Sequence, residues 1–321
     1  MKRFRRRRRR RAALALSAAT AALAMTATAA VAASGNGVAA QFDASKNQVR
    51  FGAKVKLKGR FPARATDQQP EPEGGGEAAR SQQPSRSVRI EFRPRGSRSW
   101  RKAKTTVTDR DGRYVERVRV KRTGSFRAVH DDGRRSPAER VRVKSRLRAR
   151  LKRKHVKVGD KVPIEGRVKP RGSRRKVVVR IGGDRLRTRT NRSGSFRVRW
   201  KADRTGRFKA AVRAKGDELA AGSRARAGRA TVYRPAVASW YGPGFYGHRT
   251  ACGQILTAST VGVAHRTLPC GTKLTLRYHG RSVRVRVIDR GPYVHGREFD
   301  LTGATRSKLG FPSTGTVLSS R

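Results

Sequence analysis

The sequence predicts an all-β chain, on three observations. Apolar residues recur with period two, as in Val49, Phe51, Ala53, Val55 and Leu57, an alternation that puts one face of a strand in a core and the other in water. Clusters of Gly, Asp and Ser, the residues of tight turns, separate these runs. A strand pattern also repeats: residues 49–60 (VRFGAKVKLKGR) align with residues 156–167 (VKVGDKVPIEGR) at an offset of 107.

The N-terminus comes first in order. Residues 2–11 hold nine cations and no acid, residues 12–33 are rich in Ala and Leu, and Ala30–Val31–Ala32 offers small residues for cleavage. This is the layout of a secretory signal peptide over residues 1–33. The alternative is a retained single-span anchor, since about 20 apolar residues suffice to cross a bilayer. Ser17, Thr20, Thr26 and Thr28 dilute the run and favour cleavage, which would leave no stable membrane span. No cysteine follows the run, so a lipoprotein anchor is excluded.

Two basic repeats follow, expected over 41–146 and 147–233. In the second half of each, Arg122–Thr123–Gly124–x–Phe126–x–Ala128 matches Arg204–Thr205–Gly206–x–Phe208–x–Ala210, and Gly112–x–Tyr114 matches Gly194–x–Phe196, at an offset of 82. The offset falls by 25, so the first copy holds an insertion. Residues 63–86, rich in Pro, Gly, Gln and Glu and without apolar periodicity, are the expected disordered loop. Short strands in units of this size point to two small immunoglobulin-like β-sandwiches. They lack any Asp/His/Ser constellation and read as binding or spacer modules.

Their charge is extreme. The chain carries 80 Lys+Arg against 21 Asp+Glu, a net +59, of which +40 falls on residues 34–233. Such a field ordinarily suggests nucleic acid. Export redirects it to the anionic polymers of a cell wall, so the expected location is secreted and wall-associated, extracellular or periplasmic, with no nucleic-acid partner. The competing reading is that arginine merely solvates the outer faces of the strands. Hydrophobic residues make up 36% of the chain, below the roughly 45–50% of ordinary domains, which fits thin sandwiches better than one large core.

The last unit, residues 236–321, concentrates the chemistry. Alternation at 273–277, a turn at His279–Gly280 and alternation at 283–288 predict a hairpin leading into an Asp289–Arg290–Gly291–Pro292 turn. Residues 299–304 and then Arg306, Leu309 and Gly310 predict a strand running into a short helix that stops at glycine. The two cysteines, Cys252 and Cys270, are expected to pair in an exported protein. His248, His265, His279 and His295 lack metal-ligand spacing, so neither metal nor other cofactor is expected.

Five ordered motifs in this unit carry a resemblance. Ala238–Ser239–Trp240–Tyr241–Gly242 opens the series, followed by Phe245–x–Gly247–x–x–Thr250–Ala251–Cys252–Gly253–Gln254. Next come Ala264–His265–Arg266–Thr267–Leu268–Pro269–Cys270–Gly271–Thr272, then Asp289–Arg290–Gly291–Pro292–Tyr293, and finally Phe299–Asp300–Leu301–Thr302. Together, over 237–319, they resemble the rare lipoprotein A (RlpA-like) family of septal-ring lytic transglycosylases. The resemblance implies a six-stranded double-psi β-barrel that acts on peptidoglycan glycan strands and leaves 1,6-anhydro-MurNAc ends. It does not reach the basic repeats. The family's Ser and Phe are both replaced, by Cys252 and Cys270, which supports their proximity and a disulfide closing an 18-residue loop. The family's acid in the second motif is Gln254 here.

The resemblance also assigns roles. Asp289 is the candidate acid–base, since a transglycosylase can work with one carboxyl group where hydrolases generally use two; otherwise Asp289 only caps its turn. His265 would line the groove and orient sugar or Asp289, or else be a packed barrel-edge histidine. Trp240, Tyr241 and Tyr293 suit sugar stacking, with packing as the alternative. Gln254 and Arg290 would touch substrate, and Asp300 would hold backbone structurally. The rival to an enzyme is a non-catalytic glycan binder resembling expansins, which share this barrel; Gln254 favours the binder, whereas His265 with Asp289 favours the enzyme.

Overall fold

The computed structural model describes residues 39–62 and 86–321. The signal segment and nearly all of the loop expected over 63–86 lie outside the described residues. The described chain is all-β apart from one short α-helix and one 3-10 turn.

The first sandwich comprises β1 (Gln41–Ala44), β2 (Gln48–Arg50), β3 (Lys54–Arg60), β4 (Ser87–Pro94), β5 (Arg101–Val107), β6 (Arg113–Arg119), β7 (Gly124–His130) and β8 (Glu139–Lys144). One sheet has the order β1-β3-β6 and the other β2-β8-β7-β4-β5. The second sandwich comprises β9 (Arg146–Leu151), β10 (His155–Lys157), β11 (Lys161–Lys169), β12 (Lys176–Ile181), β13 (Asp184–Arg189), β14 (Ser195–Lys201), β15 (Gly206–Ala214) and the first part of β16 (Ser223–Tyr241). Its sheets run β9-β11-β14 and β10-β16-β15-β12-β13. The two orders correspond strand for strand, down to the parallel pairs β2–β8 and β10–β16.

The repeated motifs have a packing cause. Gly59 pairs with Tyr114 across β3–β6, and Gly166 with Phe196 across β11–β14. In both places the aromatic ring lies over the glycine, so a Cβ there would fall inside the ring's contact distance. Gly112 and Gly194 turn with φ of 73° and 77°, a conformation that favours glycine. Inward residues fill two separate cores, one around Leu57, Ile90 and Phe126, the other around Ile164, Val179 and Trp200.

The joints between units are packed. The loop before β16 places Ala220 in the core of the first sandwich, where it is fully buried. Around it, Thr123 N donates to the Leu219 carbonyl at 2.8 Å and Ala221 N to that of Val143 at 2.7 Å. β16 itself spans 19 residues without a break. Its first part pairs with β15 from Ser223 to Val232, and from Arg234 onward it pairs with the strands of the next unit.

That unit is a closed ring of six strands. To the end of β16 it adds β17 (Val263–Ala264), β18 (Lys273–Tyr278), β19 (Arg281–Asp289), β20 (Phe299–Thr302) and β21 (Gly315–Ser319). The order is β16-β20-β17-β19-β18-β21, and β21 pairs back onto β16. The β18–β19 hairpin turns through His279 (φ 39°) and Gly280 (φ 86°), both left-handed as a two-residue hairpin loop requires. Helix α1 (Gly303–Leu309) is capped by the Thr302 side chain and ends on Gly310 at φ 65°, the expected glycine stop. Phe299, Leu301, Leu274, Leu276 and Val287 fill the barrel.

Candidate active site

Strand order brings three of the candidate side chains together. Asp289 ends β19, Tyr241 ends β16, and Asp300 is the second residue of β20. β16 and β20 run parallel with Ser239 opposite Asp300, while Ala264 of β17 pairs with Asp300 on one side and Asp289 on the other. Two carboxylates and a phenol are therefore carried on the neighbouring strands β16, β20 and β19, with β17 between the last two.

Asp289 is held by one oxygen. Its Oδ1 accepts from Ala251 N at 2.8 Å and from its neighbour Arg290 N at 2.9 Å. The Ala251 donor belongs to a turn closed by Thr250 N to the Gln254 carbonyl at 2.8 Å, and Cys252 N donates to the Ile288 carbonyl at 3.3 Å. The Cys252–Cys270 disulfide, with Cα atoms 5.7 Å apart, ties that turn to the segment before β18. The paired cysteines thus fix the donor that fixes the carboxylate. Gln254 lies exposed on the same turn.

The Tyr241 hydroxyl is buried and forms no hydrogen bond of ordinary geometry. Burial pushes its pKa well above the usual phenol value, and the negative charges of Asp289 and Asp300 push it further. The phenol stays protonated within electrostatic reach of the Asp289 carboxylate. Asp300 takes a hydrogen bond from the Ser239 hydroxyl, and its Oδ2 lies 3.8 Å from where a Cβ on Gly291 would stand.

His265 is oriented firmly, though its ring turns toward Glu298. Its Nδ1 accepts from Thr267 N at 3.1 Å and Leu268 N at 3.0 Å, which leaves the proton of the neutral ring on Nε2. That nitrogen lies 3.9 Å from Glu298 Oε1. Burial pushes the imidazole pKa below its ordinary value; Glu298 pulls the other way and is outweighed, with Arg266, Arg234 and Arg290 adding to the downward push. The contact between His265 and Asp289 is through backbone, His265 N donating to the Asp289 carbonyl at 3.1 Å.

The remaining expected residues separate by face. Successive strand residues point to opposite sides, and Trp240 packs on the barrel core beneath the Arg306 guanidinium, 4.3 Å from the ring centroid, while Tyr241 faces the carboxylates. Arg290 Nη1 donates to the carbonyls of His265 at 3.3 Å and Leu268 at 3.1 Å, gripping the His265 turn. Tyr293 is 81% exposed and Phe245, edge-on to Tyr241, is 58% exposed. Sequence reasoning did not single out Ser239 or Phe245. The signal for Ser239 was its period-two spacing from Tyr241. Nor did sequence reasoning single out Glu298, which also forms a bidentate pair with Arg234 at 2.5 and 2.7 Å. Among the described residues, three potential metal-ligating side chains converge at His130, Asp131 and Asp132 in the first sandwich, away from this site.

The closed six-strand ring that carries Asp289 lies within residues 234–318, which match the family described as "Lytic transglycolase". The C-terminal domain is RlpA-like. It is 48% identical over 81 residues to the probable endolytic peptidoglycan transglycosylase RlpA of Synechocystis sp., covering 25% of each chain. It is 43% identical over 83 residues to the endolytic peptidoglycan transglycosylase RlpA of Campylobacter jejuni, covering 25% of this chain and 30% of that one. The Vibrio cholerae RlpA is 44% identical over 82 residues, 25% of this chain and 31% of its own. The chain thus spans a quarter to a third of the length of these curated relatives, and the homology is confined to the barrel. Among solved structures, the D0-D1 domain of intimin aligns over 58% of this chain and 96% of its own at 10% identity and a TM-score of 0.22. The fibronectin(III)-like modules of Clostridium thermocellum CbhA align over 60% and 93% at 15% identity and a TM-score of 0.22. Likenesses this loose bear no weight, and the sandwich architecture rests on the strand pairing above.

Proposed function

We propose that the barrel is a lytic transglycosylase of peptidoglycan glycan strands, exported to the cell envelope, with residues 41–146 and 147–233 as its basic wall-retaining modules. The observation that carries the reading is Asp289: one carboxylate oxygen anchored by two backbone N–H groups, beside the buried, protonated Tyr241 hydroxyl. Asp289 enters this step protonated and donates that proton to the departing GlcNAc oxygen as the C1–O bond breaks, the electron pair leaving with that oxygen. The C6 hydroxyl of MurNAc then bonds to C1 and returns its proton to Asp289, which is restored. No water enters the product, which is a 1,6-anhydro-MurNAc end. Tyr241 keeps its proton and supplies a hydrogen-bond donor at the same place. The exposed rings of Tyr293 and Phe245 offer faces on which sugar rings stack.

His265 acts by position in this reading. Its Nδ1 is occupied by two backbone donors, so it builds the 265–268 turn and presents only Nε2–H. Digestion of purified sacculi followed by mass spectrometry tests the proposal. Anhydro-sugar ends in the products support it; intact sacculi that nevertheless retain the protein would favour the expansin-like binder, the second reading, which rests on the exposed Gln254 amide in place of the family acid.

A further inference from the structure

The second sandwich carries a basic track that the barrel chemistry does not use. Three concavities adjoin on it, of about 730, 530 and 310 Å³, and Arg189 lines all three. The first is lined by Arg148, Arg150, Arg167 and Arg197 of β9, β11 and β14. The second follows β13, the edge strand of its sheet, along Arg185 and Arg187. The third reaches Arg174 and Arg175. Together their walls hold eleven Lys or Arg against two acids, and both acids are already engaged. Glu165 pairs with Arg197 at 2.5 Å and Lys152 at 3.3 Å, and Asp217 with Arg175 at 2.7 Å.

Arg175 is the second, independent sign. Its side chain is 1% exposed. Nε meets Asp217 and Ser173, yet Nη1 and Nη2 are buried with no hydrogen-bond partner. Leaving charged donors buried and unpaired is costly, and a planar guanidinium with two free nitrogens matches the paired oxygens of a phosphate.

We propose that this track binds a linear phosphodiester polymer, with Arg189 at its centre and one phosphate seated on Arg175. Nine of the eleven cations are arginines, which suits phosphate recognition. The aromatic residue in its walls is Phe196, which is buried. Proteins that hold single-stranded nucleic acid stack bases on exposed aromatics; this track offers none, so it fits a polymer without bases, of the polyol-phosphate kind. The inference deepens the envelope reading by naming what the basic modules grip, and it rests on that reading for the source of the polymer.

The test is titration of the purified protein with poly(glycerol phosphate) free of peptidoglycan, so that glycan cleavage plays no part in the readout. Arg187→Glu with Arg189→Glu should weaken binding about tenfold or more and flatten its salt dependence. Arg140→Glu with Arg142→Glu, an equal charge reversal on exposed β8 of the first sandwich, should cost clearly less. Arg175→Lys keeps a cation for Asp217 but loses the free nitrogens, and should weaken binding severalfold with melting temperature unchanged. Equal losses in the two double variants would mean a diffuse field and overturn the proposal. So would wild-type affinity in Arg175→Lys, or duplex DNA competing as well as the polymer at equal phosphate concentration. An inactive barrel leaves these measurements untouched, and a protein that cuts glycan but ignores the polymer fails this inference alone.

Discussion

Asparagine at position 289 would keep the acceptor that Ala251 N and Arg290 N hold while losing the ability to donate and recover a proton through one group. Asp289→Asn should therefore reduce release of anhydro-sugar ends by about 10²–10⁴ with little change in melting temperature, read by mass spectrometry of digested sacculi beside a thermal scan. His265 makes a different prediction, about pH. Its pKa is lowered in the fold, so on acidification the unfolded chain takes up its proton first. Stability is then full above about pH 6.5 and falls as pH drops from there through the lower folded value. His155, pushed down by burial and by Arg277 and Lys154, adds to the same window. Denaturant midpoints between about pH 7.5 and 5.5 should fall less steeply in His265→Gln than in the wild type; parallel slopes would refute the assignment. At this scale the sequence made Asp289 and His265 legible through their motifs. It gave adjacent Trp240 and Tyr241 one role, whereas the pleat sends them to opposite faces, and the inward series Ala236, Ala238, Trp240 carried that information. The grip of Arg290 on two carbonyls was hidden, because it depends on where the 265–268 turn comes to lie.

Among the elements, the repeat was the most legible feature, because it is written in residues with few alternatives. A glycine at 59 and at 166, each beneath an aromatic ring, marks the same cross-strand pair twice. Gly166→Ala would place a Cβ 2.5 Å from the Phe196 ring and against the Arg148 carbonyl, and should cost about 1–3 kcal/mol in denaturant unfolding. The disulfide is the other device of this scale. Its 18-residue loop is worth about 3 kcal/mol by chain entropy. It also positions Ala251, so a Cys252→Ser, Cys270→Ser double variant should lose glycan cleavage beyond what its lowered stability explains. Activity measured well below its melting temperature distinguishes the two effects. The closed ring order was not readable from periodicity, since β17 is two residues long and no alternation marks a strand so short. The motif series supplied what the pattern could not.

For the whole molecule, the sequence suggested a break near residues 234–236, where motif content changes. The chain instead passes through Arg234 and Pro235 inside one strand, because each residue there finds a partner on β21. With Tyr233 fully buried, its hydroxyl on His155 of the second sandwich and beside Ser282 and Arg277 of the barrel, the second sandwich and the barrel should unfold together. Calorimetry should show one transition for them, and a flexible Gly/Ser insertion between Arg234 and Pro235 should split it in two.

The unbroken β16 has a mechanical corollary. A catalyst tethered to a polymer network is dragged whenever its substrate strand is under tension, and a floppy tether would let the active end drift off its target. Along β16 the hydrogen bonds to β15 lie across the strand, so a pull from either end loads them in shear, all at once. Stretched between wall and glycan in an optical trap, the sandwich–barrel pair should behave as a stiff strut whose force peak disappears when the strand is interrupted at Pro235.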